Sequence, residues 1–124
     1  MGGVESQPSE VDIDKLGKQL ELQLPPGTQV VGMETESGGP DDAIFVKLRV
    51  PRAHAEQFIR DCGVTRFRSD AAVQLGPDRG FWDPHQVKAL QVGRVPMQTT
   101  RGMVIGVDDS HPDALVVYVL NHGT

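Results

Sequence analysis

Cysteine, aromatic residues and positive charge are all scarce in this sequence, and each scarcity narrows what the chain can be. Cys62 is the only cysteine, so no internal disulfide can form and bridges say nothing of the redox compartment. Lys and Arg number 12 against 17 Asp and Glu, giving a net charge of −5 and a pI near 5.2. Binding to a phosphate backbone rests on Lys and Arg neutralising phosphates, so no nucleic-acid partner is expected. Arg60, Arg66 and Arg68, with Lys47 and Arg49 one element earlier, read as a solvated edge and not as a basic patch. No run of about 18 apolar residues occurs, so no apolar membrane-spanning helix is expected. Residues 1–10 lack a basic stretch followed by an apolar one, and no signal peptide is read there.

Catalytic signatures are missing as well. His54-Ala55-Glu56 matches half of a zinc-deaminase site, but that chemistry needs two further thiolates and Cys62 stands alone. Neither G-x-G-x-x-G nor G-K-[ST] is present, which leaves phosphate cradling unsupported. Ser110 adjoins His111, yet neighbours on a turn rarely point at one another, and no orienting third group is apparent. An enzymatic reading would require a deep pocket in which several of His54, His85, His111 and the loop aspartates converge. The expectation is a non-enzymatic protein with no cofactor and no metal.

What is present describes an α+β fold: a mostly antiparallel sheet of about five strands, one helix packed on a face, and a short N-terminal helix. Residues 1–10 hold one large apolar residue and are expected to be a disordered tether, with residues 11–124 forming a single domain. Ser9 and Asp12 make a weak cap, Ile13, Leu16 and Leu20 recur at helical spacing, and Pro25-Pro26-Gly27 is expected to end the helix. Residues 28–36 alternate as a half-buried strand. A turn at Ser37–Asp42 leads into Ala43–Val50, where Ile44, Val46, Leu48 and Val50 share one side and Phe45, Lys47 and Arg49 the other. Pro51 should open the next helix at its favoured first position. Ala55, Phe58, Ile59 and Cys62 form its apolar stripe, and Gly63 is its stop. That stripe must cover the Ile44 side, because a lone hairpin is not stable. A buried thiol on such a stripe is inert.

The pattern weakens from residue 64 to 84, where Phe67 is expected to start a short strand and the rest reads as loop. Residues 87–95 read as a strand through Leu90 and Val92. Met103, Ile105 and Val107 define another. Residues 114–120 are apolar on both sides, as suits a central strand, and the connection Asp108–Asp113 makes these last two a hairpin.

Two groups of residues are candidate sites. Phe81-Trp82-Asp83 places the sole Trp beside a Phe within a polar loop, either as a lid whose indole nitrogen bonds backbone or as an anchor for a partner. Asp108, Asp109, His111 and Asp113 gather carboxylates and an imidazole on one loop. They lack the ligand spacing that hard cations require, and Asp, Ser and Pro also build turns unaided.

Met1–Ser6 fits the short myristoylation pattern, but a Gly-Gly start followed by a Ser/Pro/acidic stretch fits better as the segment just after a lipidated cysteine. Leu24–Thr28, Asp41-Asp42, Val50–Ala53, Phe81–Pro84 and Val107–Asp109 resemble small uncharacterised actinobacterial proteins, many of them described as lipoproteins. The likeness spans roughly residues 20–124 and rests on turn and core residues. Members of that group carry a lipobox cysteine, which is not found in these 124 residues. The resemblance implies an extracytoplasmic, membrane-anchored module, touching the membrane only through its lipid, that binds a protein or cell-wall partner. It carries over no catalytic residue. The alternative expectation is a cytoplasmic immunity- or antitoxin-like interaction protein.

Overall fold

A computed structural model describes residues 13–36, 43–95 and 102–122. The expected tether, the Ser9 cap and the Ser37–Asp42 turn lie outside the described residues. Five strands, β1 (Gln29–Glu36), β2 (Ala43–Pro51), β3 (Gln91–Val95), β4 (Gly102–Asp108) and β5 (Ala114–His122), pair antiparallel in the order β1-β2-β5-β4-β3. The expected α+β architecture is therefore the observed one. β5 is the central strand, buried on both faces as its unbroken apolar run requires.

The alternation in β2 sets the two faces. Ile44, Val46, Leu48 and Val50 join Met103, Ile105 and Val107 of β4 and Leu115, Val117 and Val119 of β5 on one side. Helix α1 (Ile13–Leu20) covers this face with Leu16 and Leu20, and α2 (Ala55–Asp61) covers it with Ala55 and Phe58, with Cys62 just beyond its end. Burial pushes the Cys62 thiol up from its ordinary pKa, so it stays protonated.

Local ends differ from the sequence expectation in two places. Helix α1 stops at Leu20, ahead of the prolines. Glu21 takes a left-handed φ of 59°, and the Leu22 N–H bonds the Gly17 carbonyl at 2.9 Å. That 6→1 closure satisfies the helix end. Pro25 instead anchors a turn, accepting from the Thr28 N–H and Oγ1. Pro51 closes β2, and a 3₁₀ turn (Arg52–His54) precedes α2. Gly63, at φ +92°, is the expected stop after α2.

The opposite face is covered by residues 71–90, which carry two 3₁₀ turns (Ala72–Leu75 and Pro84–Gln86) and no strand, while Val64 and Phe67 before them pack on the helical side. The strand expected near Phe67 is one isolated bridge, Arg68 to Val92. The strand expected from residue 87 begins only at Gln91. This layer contributes Ala71, Leu75, Trp82 and Leu90 to a second cluster with Val92, Val104, Val116 and Tyr118. The sheet is thus packed on both faces, by helices on one and by an irregular layer on the other.

Candidate functional site

Trp82 is the centre of the second cluster. It is fully buried, its ring meets Phe45 and Tyr118 edge-on at 5.1 and 5.4 Å, and Nε1 donates to the Leu75 carbonyl at 2.9 Å. No indole face is left for a partner, so within Phe81-Trp82-Asp83 the anchor reading of Trp82 gives way to the lid. Phe81 is half-buried and its ring sits against Gly32 of β1, where a Cβ would overlap it.

Asp83 does reach an open surface. Between the rim of the layer at Gln86–Ala89 and the β4–β5 turn lies a cleft of about 570 Å³. Its floor is built by register. On β2 and β5, Lys47 stands opposite Tyr118 and Arg49 opposite Val116, and all four line the cleft. Directly opposed residues on one sheet face are close neighbours. Val31, the extra residue of a bulge in β1, adds an exposed apolar side chain at the border.

The charges in the cleft are mostly committed. Asp83 Oδ1 accepts from Lys47 Nζ at 2.9 Å and from the Tyr118 hydroxyl at 2.5 Å. Lys47 Nζ also sits 5.2 Å from the Tyr118 ring centre. Burial pushes Asp83 upward, but the bonds from Tyr118 and Lys47 outweigh it and hold the carboxyl below its usual range. Burial, then the bond to Asp83 and the nearby carboxylates, push Tyr118 far above an ordinary phenol. It is a fixed donor.

No match is found among protein-family models, curated proteins or solved structures. Chemistry at the cleft therefore has to be read from its own atoms.

The loop carboxylates separate. Asp108 is buried and accepts from the Ser110 N–H and Oγ at 3.0 and 2.6 Å through Oδ1. Its Oδ2 lies 3.2 Å from His111 Nε2. Serine and histidine thus occupy different oxygens of one carboxylate, and the imidazole does not stand between Ser110 and Asp108 as a triad requires. Asp109 pairs with Arg52, and Asp113 with Arg49. Among the described residues no three His, Cys, Asp or Glu side chains form a metal cage. The three imidazoles do not converge: His54 precedes α2, His85 bonds the Gly76 carbonyl, and His111 faces Asp108. The basic residues scatter too, with Arg60 exposed on α2 across the sheet from Lys47, and Arg68 paired to Asp70.

Sequence reasoning placed Lys47 and Arg49 on the face away from α2 but gave them no partner in a site. Tyr118 it missed. The available signal was the sole Tyr lying within an apolar central strand, where a buried hydroxyl needs a partner.

Proposed function

We propose that this chain is a non-enzymatic binding module which holds a protein or cell-wall partner in the cleft between residues 86–89 and the β4–β5 turn, at the cell envelope. One observation supports the reading above others. The two carboxylates of the cleft are already engaged: Asp83 by Lys47 and Tyr118, and Asp108 by Ser110 and His111. Such a floor is pre-organised to hold a ligand, since its side chains are fixed before anything binds. With both carboxylates held in this way, neither is left free to serve as the general base that turnover would need. The envelope setting comes from the resemblance and from residues 1–10, not from the cleft.

The test is retention of the protein on purified cell-wall sacculi and on candidate envelope proteins. Arg49→Glu and Lys88→Glu reverse charge in the cleft, and Val73→Asp alters an exposed site outside it. The reading expects the cleft variants to lose retention while Val73→Asp keeps it. Equal retention of all variants would move the surface elsewhere, and chemical turnover of the bound partner would overturn the non-enzymatic assignment.

A further inference from the structure

The donors and acceptors of the cleft do not balance, and the imbalance points to a ligand class. A lysine ammonium carries three N–H donors and an arginine guanidinium five. Lys47 spends one on Asp83, and Arg49 uses one terminal nitrogen on Asp113. Lys88, exposed on the rim, contributes a third cation. The lining carboxylates have less to give. Asp83 Oδ1 already serves two donors, and both oxygens of Asp108 face Ser110 and His111. Donors are in surplus, so the complementary ligand is rich in acceptors.

Charge narrows the class. Lys47 and Arg49 each face a carboxylate already, and the whole chain is acidic. The cleft therefore holds little net positive charge, which suits a single negative charge better than a phosphate dianion. No glycine-rich loop lines it to supply the converging backbone N–H groups that phosphates favour. Apolar lining comes from Val31, Val87, Val116 and the Tyr118 ring, with Gln86, Ser110 and His111 adding polar groups at the walls. Its volume falls in the range of roughly 300–1,000 Å³ typical of small-ligand sites.

We propose that the cleft binds a monocarboxylate carried on an apolar body the size of an aromatic or branched aliphatic side chain. The carboxylate takes the spare donors of Lys47 and Arg49, and the body lies on Val31, Val116 and Tyr118. Residues two apart on a strand share a face roughly 6–7 Å apart, a span that two long side chains close onto one carboxylate. The inference rests on the cleft reading above and adds the chemistry of the ligand. A free organic acid and the C-terminus of a peptide present the same groups.

Two probe pairs separate these sources: 3-phenylpropionate with 3-phenylpropionamide, and N-acetyl-Ala-Phe as its acid and as its amide. Each is titrated into isotope-labelled full-length protein while the backbone amide resonances are followed. The acids should shift Lys47, Arg49, Val116 and Tyr118 and bind about tenfold or more tighter than the amides, as one charge-assisted bond implies. Arg49→Gln should erase the difference between acid and amide, and Lys88→Gln should reduce it. Preserved resonance dispersion in both variants would show that folding is intact. Binding of the small acid alone assigns a free acid, and binding of the peptide acid alone assigns a chain end. Amides binding as tightly as acids would overturn the carboxylate inference while leaving the cleft as the site. Shifts confined to the helical face, or no shifts with any of the four probes, would overturn it as well. The cleft reading itself falls only if Arg49→Glu and Lys88→Glu are retained as well as Val73→Asp.

Discussion

The Tyr118 hydroxyl donates to Asp83 Oδ1 at 2.5 Å and so ties the central strand to the irregular layer above it. Lys47 of β2 meets the same oxygen, which makes one carboxylate the junction of two strands and a loop. The chain has a single tyrosine, so near-ultraviolet absorbance of tyrosinate reports on this junction alone. Burial and the Asp83 carboxylate raise the Tyr118 pKa above its unfolded value of about 10. The sign follows by linkage: the stabilisation is complete below about pH 10 and is lost as pH rises beyond it. Tyrosinate should therefore appear only together with alkaline unfolding followed by circular dichroism. A phenol ionising near pH 10 in folded protein would refute the junction.

Asp83 has the opposite sign. Its folded pKa lies below the unfolded value of about 3.9, so its contribution is present above that pH and is lost as pH falls through the folded value. Its side chain remains 39% exposed, and solvent screening keeps the effect modest. Denaturant unfolding of wild type and Asp83→Asn should differ most near neutrality, and the gap should close in acid. Tyr118→Phe removes one of the two bonds to Asp83 and should raise its carboxyl titration, observed by carbon NMR. An unchanged titration in that variant would mean that Lys47 alone holds the carboxylate.

Gly32 makes a contact that no other residue can share. The Phe81 ring covers the position of its absent Cβ, so Gly32→Ala must displace the ring. Overpacking of this kind costs about 1–3 kcal/mol. The double change Gly32→Ala with Phe81→Ala should cost less than the sum of the single changes, since the clash disappears with the ring. Thermal unfolding of the four proteins in this cycle measures the coupling, and strict additivity would mean that the two residues do not touch.

The two faces of the sheet differ in how far the sequence could be read. Ile44, Val46, Leu48 and Val50 announced their face by strict alternation, and Ala55, Phe58 and Cys62 announced the covering stripe by helical spacing. The second cluster draws Ala71, Leu75, Trp82 and Leu90 from a stretch with no period at all, because its backbone turns through short 3₁₀ segments and isolated bridges. Periodicity has nothing to detect there. The cleft was hidden for a different reason. It depends on Lys47 lying opposite Tyr118, and that register is a long-range property of β2 and β5 which neither strand encodes alone. The loop aspartates, read as a weak candidate group, divide between partners that sequence spacing cannot name: Asp113 pairs with Arg49 and Asp109 with Arg52.

The buried tryptophan gives the last and sharpest check on the layer that forms the cleft wall. Trp82 is the only Trp, so its fluorescence is unambiguous. Sealed between Phe45 and Tyr118, it should emit to the blue of an exposed indole and resist quenching by iodide until the protein unfolds. Trp82→Phe preserves much of the bulk but strands the buried Leu75 carbonyl, a loss of about 1–3 kcal/mol for an unsatisfied group. Trp82→Ala removes the ring as well and should cost about 3–5 kcal/mol. The order wild type, Phe, Ala in unfolding free energy is the expected result. Ready access of iodide in the folded state would return Trp82 to the surface, and with it the choice between lid and anchor.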